Sequence, residues 1–416
     1  LLAYPGNKQK NEISQRKVKL VKKNMRGAFA AGAIALTAML TFSGCASDPK
    51  PTTDVLDIWV DKLEAVALEG SAAKFEEETG IKINLVIKEG DPIEDFKVAG
   101  PAGEGPDVIL GAHDKVGALV ADGLVAPIDL GSKKGDFREN AIAAFTYDSN
   151  LYGMPYTIEN IALVCNTEKV PSQPTWEDLK GVGVALSLNG GTGDPYHMYS
   201  IQTSFGSKVF KRDADGNYTS ELDMANGGAE FANWLATEGA EVLDPESTWD
   251  SSVAALADGT KACWITGPWA QGAGDGAIDL KSGAYSIYSI PSVGGQDSVQ
   301  FMGSRGFYIS SYATDKLYAQ KFVVDYVGTE EVQTAMFEAG GRIPAHKAAF
   351  EAASDDPIVK GFGAAGVKAE PMPAIPAMAA VWSAWGATEI AILQKKGDPA
   401  ELWTKMIADI EAAIAG

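Results

Sequence analysis

The apolar positions of this chain change period in a repeating order. Leu56-Asp-Ile-Trp-Val60 is a short apolar run, and Ala65, Leu68, Ala72 and Phe75 then recur at three- and four-residue spacing up to Thr79-Gly80. Ile81-Lys-Ile-Asn-Leu85 alternates apolar and polar. A strand, an amphipathic helix and a second strand follow from these periods, a β-α-β unit of about 30 residues with Gly80 as the helix C-cap. After Pro106, Asp107-Val-Ile-Leu110 predicts a third strand that runs into Gly111-Ala-His113-Asp114. The first region is therefore α/β with a largely parallel sheet. Ligands of such sheets bind beyond the carboxyl ends of the strands, which puts Asp61, Lys62, His113 and Asp114 on one edge. A second α/β region runs from Ile161 to Phe301, with helical patterns at Ala225 to Leu235 and Val253 to Ala257. The chain returns to strand at Gly306-Phe-Tyr-Ile-Ser310 and continues in helices. Pro and Gly between Gly361 and Pro376 predict a segment crossing between lobes.

Acids and aromatics collect at the ends of the strands. Glu159 precedes Ile161-Ala-Leu-Val-Cys-Asn166, Asp194-Pro195-Tyr196 follows a Gly-rich turn, and Ile265-Thr-Gly-Pro268-Trp269 closes another apolar strand. Carboxylates accept hydrogen bonds from hydroxyls, and flat rings cover the apolar faces of sugars, so these residues point to a neutral polyhydroxylated ligand. Trp59 and Trp264 lie within strands and read as core. Asp213-Ala-Asp215-Gly216-Asn217 has its Gly in the wrong place for a calcium loop and reads as a hairpin turn.

Composition sets the compartment. With 416 residues, 46% hydrophobic and 22% charged, the chain is long enough for two domains. Residues 1–44 stand apart: a basic part with Lys17, Lys19, Lys22, Lys23 and Arg26 precedes an apolar part from Ala28 to Phe42. They read as a signal peptide, with residues 25–44 starting at Met25 as its true extent. Leu40-Thr-Phe-Ser43-Gly44-Cys45 resembles a bacterial lipobox, in which Cys45 takes a lipid, and residues 46–53 read as a tether. The formal charge is −20 and becomes about −27 without residues 1–44, which excludes nucleic acid as a partner. Three His without a Cys/His cluster give no structural zinc site, and no cofactor is implied. Cys165 and Cys263 sit in apolar runs and read as buried small hydrophobes, with their pairing left open.

Several segments together carry a resemblance to a family: Phe75-Glu-Glu-Glu-Thr-Gly-Ile81, Gly103-Glu-Gly-Pro-Asp107, Ala112-His113-Asp114, Tyr152-Gly-Met-Pro155, Thr175-Trp-Glu-Asp-Leu179, Gly267-Pro-Trp269 and Pro373-Ala-Ile-Pro376. Over nearly all of residues 54–416 the chain resembles extracellular solute-binding proteins of ABC sugar importers, of the maltose/maltodextrin-binding type. The resemblance implies a two-lobed periplasmic-binding-protein-like α/β fold with an interlobe ligand cleft and hinge crossings. The first lobe would comprise residues 54–158 and 307–352 and the second 161–302 and 357–416. Hinge rotation would fall at Ile158 to Ile161, Met302 to Phe307 and Ala352 to Pro357. Asp114 and Glu159 would accept hydroxyl hydrogen bonds, Asp61 or Lys62 would contact another sugar unit, and Trp269, Tyr196 and Trp382 would be stacking platforms. Asp194 stands where the family usually has Glu. Three departures alter the subsites: Gly111 replaces an aromatic, Ser383 replaces the Tyr beside Trp382, and Gly386 replaces a basic residue. Arg305 is a local replacement that would bond sugar hydroxyls or pair with a cleft carboxylate.

These readings give a lipid-anchored monomer on the extracellular face of the membrane that captures maltose or maltodextrin by hinge closure and delivers it to an ABC permease. Alternatives are the same fold with another oligosaccharide or a polyamine, and a secreted glycosidase using Asp114 and Glu159 as its carboxylate pair.

Overall fold

The computed structural model describes residues 51–88 and 92–416. Residues 1–44, Cys45 and residues 46–50 of the expected tether lie outside them. Strand Val55–Val60 pairs in parallel with Lys82–Ile87, and helix Lys62–Thr79 lies between them in the chain. The helix buries Ala65, Leu68, Ala72 and Phe75, the four positions its spacing selects. Gly80 ends it with φ 76°, its N–H bonded to the Glu76 carbonyl, a left-handed conformation that glycine takes without strain.

This first sheet is mixed rather than largely parallel. Val108–Ala112 pairs in parallel with Val55–Val60, but Phe301–Ser310 runs antiparallel to Val108–Ala112. Strand Gly153–Asn160 pairs with the same Phe301–Ser310, from Met302 opposite Asn160 to Tyr308 opposite Gly153. The chain passes along these two strands between two cores in opposite directions, from Ile158 to Ile161 and from Phe301 to Phe307, in keeping with their antiparallel pairing. Their register slips between Arg305 and Gly306, a bulge of the kind that re-aims side chains.

The second sheet is ordered Tyr285–Tyr288, Ala162–Asn166, Cys263–Thr266, Val184–Ala185. Period-two alternation sends its residues to two cores. Leu163, Cys165, Cys263 and Ile265 join a large cluster with Trp385 and Trp403. Ala162, Val164 and Trp264 join a smaller one with Phe337, Ile343 and Phe362. A further core unites residues between Leu56 and Ile158 with others between Phe307 and Ala345, Trp59 among them. Helix Glu330–Gly340 straddles two of these cores, since Val332 and Met336 pack in the first-lobe core and Phe337 beneath the second sheet.

The Gly361 to Pro376 stretch is helical at its start. Pro357–Ala365 is a helix capped by Asp356, and Ile358, Val359 and Phe362 are buried against the second sheet. A Cβ on Gly361 would lie 2.7 Å from Ile287, so this glycine permits close helix-to-sheet packing rather than a turn. Phe210–Arg212 and Tyr218–Leu222 form the hairpin read around Asp213, whose carboxylate accepts the N–H groups of Asp215 and Asn217.

Cys165 and Cys263 face each other across the second sheet and form a disulfide, fully buried, that closes a 98-residue separation. The bridge restricts the unfolded chain, so the Cys165→Ala/Cys263→Ala double variant is expected to lose about 2–5 kcal/mol of unfolding free energy. Equilibrium denaturation at constant pH measures this, and an unchanged midpoint would show that the bridge contributes nothing.

Candidate functional site

A cavity of about 680 Å³ opens where the two crossing strands meet the ends of the first sheet. Of the sequence-selected residues, Asp61, Asp114, Glu159, Tyr196, Trp269, Arg305 and Trp382 line it, and Lys88, Lys115, Ser304, Arg342 and Met372 join them. Lys62 and Asp194 are not in its wall. Lys62 is the first residue of its helix and is exposed to solvent. Asp194 caps helix Pro195–Thr203 and is held by His197, accepting from its backbone N–H at 3.2 Å and bonded to its Nδ1 at 2.8 Å. An acid directly before a proline at a helix start is an N-cap signal, and the local bond takes precedence over reach into the cleft.

The first-lobe wall is built from strand ends. Asp61 follows strand Val55–Val60, makes no cap bond to the helix behind it, and instead forms an ion pair with Arg305. Glu64, one turn on and buried, accepts the Tyr156 hydroxyl at 2.6 Å. Asp114 stands in the turn His113–Lys115 after strand Val108–Ala112. It accepts the Trp382 indole N–H at 3.1 Å and has Lys115 Nζ at 3.6 Å. This indole bond joins the first-lobe turn directly to helix Trp382–Leu393.

His113 fixes that turn. Its Nε2 lies 3.2 Å from the Met372 carbonyl oxygen, and its Nδ1 lies 3.1 Å from the Ser304 backbone nitrogen and 3.3 Å from the Ser304 carbonyl oxygen. Burial holds its pKa below the ordinary value of about 6.5, with the Asp114 charge acting the other way. The unfolded chain therefore binds more protons than the folded one as pH falls below about 6.5. Stability is expected to be fully present above that value and to decline below it, and part of the decline should vanish in His113→Gln; denaturation midpoints from pH 8 to pH 5 check this. A flat profile would contradict a neutral buried His113.

Glu159, next to last in strand Gly153–Asn160, is 6% exposed. Arg342 Nη1 bonds both its oxygens, at 2.8 and 2.6 Å, while Arg342 Nε lies 3.4 Å from Glu64. Burial works against the Arg342 charge and the Glu159 carboxylate acts most strongly the other way, with Tyr156 and then Glu64 adding to it and Arg305 opposing, so its pKa is raised. No period or motif selects Arg342 in the sequence; its local signal is a basic residue between the helix-stopping Gly341 and Pro344.

The aromatic wall comes from the second lobe. Trp269 lies in the turn Pro268–Ala270, 6.3 Å from the Tyr196 ring and 5.9 Å from that of His197. Its ring folds back over Gly267, where a Cβ would come within 2.1 Å of it. Burial, then the Glu159 charge, pushes the Tyr196 phenol well up, so its O–H remains a donor. Trp382 stacks on Trp385 at 5.8 Å and 14°.

Two of the sequence departures have packing causes. A Cβ on Gly111 would meet Ile93 at 2.8 Å and Tyr308 at 3.2 Å, so that space is filled from helix Pro92–Ala102 and strand Phe301–Ser310. At Gly386 a Cβ would lie 2.8 Å from the Thr192 carbonyl, and one on Gly193 would lie 2.3 Å from the Gly386 carbonyl. Backbone touches backbone there, and no basic side chain fits. Among the described residues no cluster of His, Cys, Asp and Glu has the arrangement of a metal site, and no helix is long and apolar enough to cross a membrane.

Two α/β lobes joined by crossing strands, with acids, guanidinium groups and aromatic rings around the cleft between them, define a solute-binding protein. The model of the bacterial extracellular solute-binding protein family matches residues 70–361, and the chain belongs to that family. It is 28% identical over 371 residues to the Bacillus subtilis maltodextrin-binding protein MdxE, covering 82% of this chain and 86% of that one. It is 25% identical over 419 residues to the Bacillus subtilis galactooligosaccharide-binding protein, covering 90% and 95%. Among solved structures, the Thermus thermophilus maltotriose binding protein bound with maltotriose superposes with a TM-score of 0.78 at 27% identity, covering 86% of this chain and all of that one.

Proposed function

We propose that this protein captures an α-linked glucose oligosaccharide, maltose or a maltodextrin, in the interlobe cleft and delivers it to an ABC permease. The observation that carries this is the charge balance of an aromatic-walled cavity. Asp61 is paired with Arg305, Glu159 with Arg342, Asp114 with Lys115 and the Trp382 indole, and Lys88 with Asp95 outside the cavity wall at 3.5 Å. A net-charged ligand finds no uncompensated partner, whereas a neutral polyol exchanges hydrogen bonds with every pair while its apolar faces lie on Trp269, Tyr196 and Trp382. The same balance disfavours a polyamine. The maltodextrin and maltotriose names of two of the relatives support the sugar class.

The cleft binds rather than cleaves. A glycosidase needs one carboxyl free to protonate the leaving oxygen, and here Glu159 has both oxygens on Arg342 while Asp114 holds the Trp382 indole. Ligand contacts fall to Asp61, Asp114, Glu159, Arg305, Tyr196, Trp269 and Trp382. Closure rotates residues 54–158 with 307–352 against 161–302 with 357–416, with Phe337 and Ile343, which pack beneath the second sheet, at the junction, and the Cys45 lipid holds a monomer at the outer face of the membrane. The galactooligosaccharide-binding relative favours a second reading, another neutral oligosaccharide in the same cleft. Calorimetric titration with maltose, maltotriose, longer maltodextrins, galactooligosaccharides and spermidine separates them. Heat from the α-glucans alone is expected. Silence from all α-glucans removes this ligand class, and appearance of cleaved products would remove the binding-only role.

A further inference from the structure

We infer that Arg342 is a ligand-contacting specificity residue, and that Arg342–Glu159 reads two adjacent hydroxyls of one sugar ring as a donor–acceptor unit. This deepens, and rests on, the oligosaccharide reading above. Arg342 is fixed by backbone before its side chain is considered. Gly341, with φ 69°, ends helix Glu330–Gly340, and a Cβ there would lie 2.6 Å from the Pro268 carbonyl, so the chain runs directly beside the Trp269 turn. The next residue, Ile343, accepts the Ile158 N–H at 3.0 Å and the Thr157 hydroxyl at 2.6 Å. Arg342 is thereby held between strand Gly153–Asn160 and Trp269, with its guanidinium carbon 5.2 Å from the indole centroid.

Its side chain lines the cavity and is 15% exposed, against 7% for that of Glu159. Nη1 is used by Glu159 and Nε faces Glu64, while Nη2 makes no hydrogen bond among the described residues. A carboxylate has about four acceptor positions, so Glu159 keeps capacity beyond the two bonds from Arg342. The pair therefore presents a donor and an acceptor side by side in a rigid fork. Vicinal hydroxyls of a pyranose match that arrangement: one accepts from Arg342 and its neighbour donates to Glu159. A lone carboxylate would read hydroxyls singly. Pairing also makes an empty cleft tolerable, because an isolated buried carboxylate is strongly unfavourable.

The test is a titration of wild type and Arg342→Gln with maltotriose and a set of its monodeoxy analogues. Wild type should bind two analogues, lacking adjacent hydroxyls, about 10- to 100-fold more weakly than maltotriose. In Arg342→Gln the penalty for one of these hydroxyls should shrink to within about threefold while the other persists. An equal loss across the whole set, or disappearance of both penalties, would make Arg342 structural and overturn the inference, as would a wild type indifferent to every monodeoxy analogue. Should Arg342→Gln fail to fold, Arg342→Lys keeps the charge without the fork and should blunt the same single penalty. No heat from maltotriose itself would overturn the α-glucan reading and this inference with it, whereas binding with a uniform loss overturns the inference alone.

Discussion

Glu159→Ala is expected to weaken oligosaccharide binding by about a hundredfold and to lower the unfolding free energy by about 3–5 kcal/mol. Both effects have one cause. Glu159 is buried and carries two of the bonds that hold Arg342, so its removal leaves a guanidinium in the cleft with only Glu64 at 3.4 Å. Deleting one partner of a buried pair leaves the other charge uncompensated, which is worse than never having had the pair. Affinity falls because the acceptor is gone and because Arg342 is no longer oriented. Calorimetry and denaturant unfolding of the same preparation measure the two losses. A large loss of binding with unchanged stability would mean that the Arg342 pair does not form.

Trp269→Ala should weaken every oligosaccharide bound by about 10- to 100-fold, with a loss of stability from the packing removed. Trp269 lines the cavity and also packs against Tyr196, His197 and the Arg342 guanidinium at the edge of the second core, so its loss removes contacts from both the ligand and the fold. Stacking does not distinguish hydroxyl patterns, and the loss should be uniform across sugars, unlike that of Glu159→Ala. Gly267→Ala provides a companion test, since its Cβ needs the space the ring occupies and must push the ring aside. Fluorescence titrations with maltose, maltotriose and longer chains check both variants. Selective loss for one chain length would place Trp269 at a terminal subsite instead of at the centre of the cleft.

Much of this site was legible because it lies where local sequence determines position. Asp61 and Asp114 are each the first acid after an apolar strand, and the carboxyl ends of those strands are where an α/β sheet places its ligand residues. Trp269 follows a Gly-Pro pair that ends another strand. What was not legible depends on contacts between distant segments. Arg342 meets Glu159 across 183 residues, and no period or spacing in the sequence records that pairing. Lys62 neighbours Asp61 in the chain, but as the first helical residue it projects to solvent. Asp194 carries a charge that suits a ligand contact, but its place before Pro195 makes it a helix cap. Gly361 stands in a Pro- and Gly-rich stretch that suggests a crossing segment, although here it lets a helix approach the second sheet. The mixed character of the first sheet arises from Phe301–Ser310, nearly 200 residues from the strand it joins, Val108–Ala112.

A crystal structure of the protein with maltotriose tests the whole account most directly. The sugar should lie between the lobes, one ring on Trp269, with hydroxyls bonded to the Arg342–Glu159 pair and to Asp61 or Arg305. Maltotriose bound elsewhere on the surface, or a cleft that stays empty at saturating sugar, would contradict it.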